Sequence, residues 1–253
     1  VNLPDAVYVG IDPTGARKPV TLAAVDASGQ PLLVTEGELE DALAFASAQE
    51  HAYIAINGPP RPSLGLLSDK DLRRAPGVGP GRQLEMRLAE HQLRERGISV
   101  APTSSHRNGS ASWNQFGYLL HEGLEDLGYV SFPAETAPRQ RLETHPHAVF
   151  CALLGKTPLP RYTLEGRIQR QLVLCEHGLD MRDPMDFFEE VTRRSVLKGE
   201  LPFDLIYEPV ALDALAAALT ASLVARVPGS VLFLGAQEEG RIVLPVSELK
   251  PRY

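Results

Sequence analysis

Cysteine is nearly absent from this chain of 253 residues: Cys151 and Cys175 are the only two. They share no CxxC spacing and have no histidine-rich partner motif, which argues against a disulfide framework or a zinc site. The expectation is two buried thiols in a reducing compartment. Long apolar runs are missing too. None approaches the ~18 residues of a membrane span, and the first residues lack a basic-then-apolar signal pattern. Positive charge is in deficit: 25 Lys and Arg stand against 32 Asp and Glu, a formal net charge of -7. That balance excludes a broad basic face for indiscriminate nucleic-acid binding, while a local basic groove remains open. A cytoplasmic protein with no membrane partner is expected.

What is there is ordinary for a globular chain, with 43% apolar and 23% charged residues. No internal repeat and no linker divides it, so a single domain over 1–253 is the simplest account. Val7, Val9 and Ile11 alternate with Tyr8, Gly10 and Asp12, which predicts a first strand. Two apolar runs split by Ser28-Gly29-Gln30 predict a hairpin of second and third strands. "GELEDALAFASAQ" is an amphipathic helix, and "AYIAI" at 52–56 a buried parallel fourth strand. A Pro-, Gly- and Arg-rich loop over 58–81 follows.

Beyond the loop, "GRQLEMRLAEHQLRERG" predicts a helix stopped by Gly97, and "ISVAP" a short strand. Further helices are expected over 112–128, 147–155, 163–178 and 183–199, with a strand leading into "LETHP". The strongest helix signal is "EPVALDALAAALTASLVARVPG". Pro209 suits its first position, and apolar residues nearly all round predict burial. A closing hairpin turns at Gln237 to Gly240.

Several motifs carry a resemblance: "GIDPTG" at 10–15, "AINGPP" at 55–60, "RLETHPHAVFCALLGK" at 141–156, "YTLEGRIQRQ" at 162–171, "LDALAAALTA" at 212–221 and "GRIVLP" at 240–245. In order and spacing they resemble the domain of unknown function 429 family, often described as predicted nucleases of RNase H fold. The chain is also distantly similar to RuvC-like resolvases. The resemblance implies an α/β fold: an RNase H-like mixed five-stranded sheet, three antiparallel strands then parallel ones, flanked by helices, with helical insertions and a C-terminal β-hairpin. It also implies Mg²⁺- or Mn²⁺-dependent phosphodiester hydrolysis, with carboxylates as metal ligands.

Asp12, Glu143 and Asp213 are the candidate catalytic and metal-binding acids. Such chemistry needs carboxylates around hard cations ~3.5–4 Å apart. Each has a plainer alternative. Asp12-Pro13 can open a type I turn, Asp213 can cap a late-starting helix, and Glu143 can be an exposed strand residue. Asn57 stands where many nucleases of the fold carry an acid. Its amide can ligate a cation without bringing charge, or simply form an Asn-Gly turn. Glu208 is a weak replacement acid.

Arg61, Arg73, Arg74 and Arg82, with Lys156, Arg161, Arg167 and Arg170, can line a phosphate groove or be solvated charge. Arg167 and Arg170 are spaced to act together. His145 and His147 can ligate metal or move protons. Trp113 and Phe116 can stack on bases or pack in the core. Three functions are therefore weighed: a metal-dependent nuclease, a non-catalytic nucleic-acid-binding or scaffold protein with a degenerate acidic site, and a nucleotide-binding phosphotransferase. The last lacks the second fold copy such proteins carry.

Overall fold

A computed structural model describes residues 6–13, 20–68, 85–107 and 111–253. Arg73, Arg74 and Arg82, residues 69–81 of the long loop, and the last two residues of "GIDPTG" lie outside them. The alternating run at the start forms β1 (Val7–Pro13). It pairs antiparallel with β2 (Val20–Val25), which pairs antiparallel with β3 (Pro31–Gly37). Asp26 closes the intervening turn, its Oδ1 accepting from Ser28 N and Gln30 N at 2.8 and 2.9 Å.

Helix α1 (Leu39–Ser47) starts on a capping box, in which the Asp41 carboxylate accepts from Glu38 N. It leads to β4 (Ala52–Ile56), parallel to β1. Next along the sheet comes β6 (Arg139–Glu143), parallel to β4. The far edge of β6 is shared: β5 (Val130–Ser131) pairs with Gln140 and Arg141, and β8 (Ile242–Leu244) with Glu143. Strand β7 (Leu232–Leu234) closes the hairpin with β8. Among the described residues the sheet is thus mixed and eight-stranded, in the order β3-β2-β1-β4-β6-β8-β7 with β5 beside β6. Five strands were expected. The difference arises because the C-terminal hairpin joins the sheet and the two-residue β5 is too short to leave a periodic signal.

Alternation gives the sheet two buried faces. Val9, Ile11, Leu22, Ile54 and Ile56 pack with Leu120 and Leu124 of α3 (Ser112–Asp126) and with α1. The opposite face, including Tyr8, Ala23 and Ala55, packs on α8 (Pro209–Arg226). That helix is covered in turn by α4 (Pro146–Leu154) and α5 (Leu164–Glu176). Burial on nearly all sides explains its uniform apolarity. The stretch Phe203–Arg226 has the length and apolarity of a membrane span, but 78% of its most apolar window is buried inside the protein. It is a core helix.

Three local expectations need correction. Of the helix expected over 81–97, residues 81–84 lie outside the described residues, and α2 (Leu88–Glu95) starts after Arg87, its extended cap residue, whose backbone N–H donates to Glu90. Residues 98–102 form no strand. Ile98 and Val100 bury in the main core without a ladder, and the Val100 carbonyl accepts from the Arg94 guanidinium. The 183–199 segment divides into α6 (Asp186–Glu190) and α7 (Arg193–Lys198).

Candidate functional site

Both Asp12 and Pro13 are extended β1 residues, paired with Thr21 and Val20. Asp12 lies on the α8 face of the sheet, since Ile11 beside it packs toward α3. Two residues earlier on the same face is Gly10. A Cβ there would stand 1.9 Å from the Ala214 carbonyl oxygen and 2.4 Å from Ala218 N. Only glycine admits so close an approach of helix backbone to strand.

Because α8 starts at Pro209, with Glu208 as its cap residue, Asp213 is inside the helix and does not cap it. The Gly10–Ala214 contact brings it into the field of Asp12. Both acids are buried, at 5% and 7% exposure. Burial and the Asp12 charge push the Asp213 carboxyl up to about 7, against the attraction of Arg161 and Arg170. Burial raises the Asp12 carboxyl as well, opposed by the Asn57 hydrogen bond and by Arg161.

Asn57 follows the end of β4. Its backbone N–H donates to the Ile11 carbonyl, and its side-chain amide donates to Asp12 Oδ1 at 2.6 Å. The side chain thus serves Asp12 rather than a mere Asn-Gly turn. Arg161, between α4 and α5, reaches Asp213 Oδ2 at 2.7 Å and lies over the Tyr162 ring. Asp12, Asn57, Arg161 and Tyr162 border an open cleft of about 300 Å³, lined also by Trp113, His145 and Val210, with Asp213 joined to it through Arg161. It sits at the carboxyl ends of the parallel strands β1, β4 and β6, where ligands of open α/β sheets bind.

Glu143 stands apart from the pair. In register it lies beside Ile56, and Ile56 beside Ile11, so its side chain is on the α3 face, opposite Asp12. Arg87 holds both of its oxygens, Nη1 at 2.8 Å from Oε2 and Nη2 on Oε1. It is 5% exposed, so it is not an open strand residue either. Arg87 also binds Glu90, which accepts from Thr103 N at 2.8 Å. Nearby, Glu239 accepts from Leu64 N and Leu88 N at 2.8 and 2.9 Å. This buried network pins the 58–68 loop, the start of α2 and the β7–β8 turn together.

The remaining candidates divide by their partners. Arg167 donates to the Tyr207 and Ile206 carbonyls and pairs with Glu208, at the entry to α8. Arg170 donates to the Leu159 and Gly166 carbonyls, so the two arginines serve different backbone segments. Glu208 is exposed and is not one of the residues lining the cleft. Lys156 is exposed on the turn after α4. His145 caps α4, its Nδ1 accepting from Ala148 N, and burial pushes its imidazole down to about 3. It faces the cleft as a neutral ring. His147 contacts Cys151. Phe116 is half-buried. Cys151 is buried and Cys175 partly so, both free thiols. Arg61 lines a second pocket on the α3 side of the sheet.

Sequence reasoning gave Arg161 no individual role and passed over Arg87, Glu90 and Glu239. Charged residues in an amphipathic helix or a hairpin turn look solvated, and nothing in their spacing marks them as buried.

A hard divalent cation takes carboxylate and carbonyl oxygens. One oxygen of Asp12 accepts from Asn57, and one of Asp213 pairs with Arg161. Among the described residues, no group of three or more His, Cys, Asp or Glu side chains is placed to hold a metal. No curated protein and no solved structure matches the chain. The family model described as "Protein of unknown function (DUF429)" matches residues 10–239, and the chain belongs to that family.

Proposed function

We propose that this chain is a non-catalytic binding protein on an RNase H-like scaffold, with a degenerate acidic site and single-stranded nucleic acid as its ligand class. Three features argue for the scaffold. The first three strands form antiparallel pairs, α1 precedes a β4 parallel to β1, and β6 extends the parallel part. One observation carries the loss of hydrolysis: the third acid, Glu143, is committed to Arg87 on the opposite face of the sheet from Asp12. An amide at Asn57 and a guanidinium on Asp213 complete the degeneration.

The ligand class follows from the cleft. Tyr162 is 79% exposed, Trp113 lines the same cleft, and Arg161 lies between the acids and the Tyr162 ring. Aromatic faces stack on unpaired bases, and a guanidinium meets phosphate. A second reading, a Mg²⁺- or Mn²⁺-dependent nuclease through Asp12 and Asp213, draws on the mutual repulsion of two buried carboxylates, which a cation would relieve.

Fluorescence anisotropy with short single strands, alongside cleavage assays of single strands, duplexes and branched junctions in Mg²⁺ or Mn²⁺, tests both. The binding reading expects salt-sensitive single-strand binding, weakened about tenfold by Tyr162→Ala, with no cleavage. Mn²⁺-dependent cleavage that Asp12→Asn abolishes would replace it with the nuclease. Absence of any nucleic-acid binding would sink both.

A further inference from the structure

A second pocket, of about 240 Å³, opens where β5 and β8 part along the edge of β6. It is lined by three guanidiniums, Arg61, Arg141 and Arg241, together with His121 and Glu143. We propose that it is a binding site for a small phosphomonoester, with the phosphate held among the three arginines. This site lies across the sheet from the Asp12 cleft and does not depend on the function proposed above.

Charge is the first argument. Glu143, which lines the pocket, is held by Arg87, and Glu125 pairs with Arg141. Arg61 has only the Glu238 carbonyl, at 3.2 Å. Arg241 lies 4.4 Å from the Phe233 ring centroid and makes no ion pair or hydrogen bond among the described residues. The stacked ring holds its plane and leaves its donors open. Arg61 and Arg141 are close enough to feel each other's charge. Positive charge is thus concentrated here on a chain of net charge -7.

Unmet hydrogen-bonding capacity is the second argument. Arg141 is 9% exposed, and although its terminal nitrogens serve Ser131 and Glu125, its buried Nε has no partner. His121 is 4% exposed; its Nε2 donates to the Gly58 carbonyl, so Nδ1 is an acceptor, left without a partner and suited to a ligand hydroxyl rather than to phosphate oxygens. Buried polar atoms in this state are uncommon and mark places where a polar partner is missing. The volume exceeds a phosphate ion and admits a sugar-sized group against Phe132, which lines the pocket and stacks on Phe233. Arginine forks match the geometry of phosphate oxygens.

Calorimetric titration with ribose 5-phosphate, inorganic phosphate and neutral ribose provides the test, at constant ionic strength. Saturable millimolar or tighter binding of ribose 5-phosphate, with none by ribose, is expected. Arg241→Gln and, separately, the exposed Arg61→Gln should each weaken it about tenfold. Circular dichroism and melting of both variants should match the wild type, since neither side chain is buried. Equal binding of inorganic phosphate identifies the free ion as the ligand; a preference for the ester identifies the sugar phosphate. Either supports the site. No saturable binding of either phosphate, or binding that both variants retain, would overturn it.

Discussion

Gly10 lies in backbone contact with Ala214: a Cβ added to the glycine would stand 1.9 Å from the Ala214 carbonyl oxygen. This contact fixes the distance between β1 and α8, and with it the placement of Asp12 and Asp213. Gly10→Ala forces helix and strand apart. It should destabilise the protein by about 3 kcal/mol, at the upper end of overpacking costs. Chemical denaturation measures this directly. A change within experimental error would mean that α8 can shift without loss, and that the two acids are not held as described.

The buried pair makes stability depend on pH in an unusual sense. Asp213 is raised in the folded protein to about 7 from the ordinary aspartate value of 3.8, chiefly by burial and then by the Asp12 charge. The folded state therefore holds its proton where the unfolded state has lost it. Stability falls as pH rises from about 4 through about 7 and levels off above. Asp213→Asn removes the effect. It should stabilise the fold by on the order of 2 kcal/mol at about pH 8 and by little at about pH 4. Urea midpoints at the two pH values decide it, and equal differences at both would refute the shift.

On the other face, Glu143 and Arg87 form a buried bidentate pair. Removing one partner strands a charge in the interior. Glu143→Leu should cost about 3 kcal/mol. Arg87→Met with Glu143→Leu should cost less than the sum of the two singles, with a coupling above about 1 kcal/mol. Strict additivity in that double-mutant cycle would show that the pair does not interact as the geometry requires.

Much of the framework was legible because it rests on local patterns. Alternation in Val7 to Asp12, the Ser28-Gly29-Gln30 turn, and Pro209 before an all-apolar helix each predict an element that the structure contains. Asp213 was recognisable as unusual because a charge sits in that apolar helix. What alternation could not supply was the shared frame. It set Glu143 opposite Leu142, but only the register from β6 through β4 to β1 shows that this is the face away from Asp12. Ile98 and Val100 alternate like a strand, yet the far edge of β6 is already occupied by β5 and β8. Their burial satisfies the pattern without a ladder.

Asn57 is where the acidic site can be rebuilt. Its amide donates to Asp12 Oδ1, stabilising the buried carboxylate without adding charge. Asn57→Asp replaces that donor with an acid, on the same side of the sheet as Asp213. In the absence of metal three carboxylates would repel one another, so the variant should be less stable at neutral pH by about 1–3 kcal/mol. A divalent cation reverses the balance, because it binds the folded cluster and not the unfolded chain. Calorimetry should find Mn²⁺ affinity at least about tenfold above wild type, with a matching gain in melting temperature. Arg161→Gln, which frees Asp213 Oδ2, should add to the affinity. If Asn57→Asp loses stability and Mn²⁺ restores none of it, the residues around Asp12 do not form a cation site in any charge state.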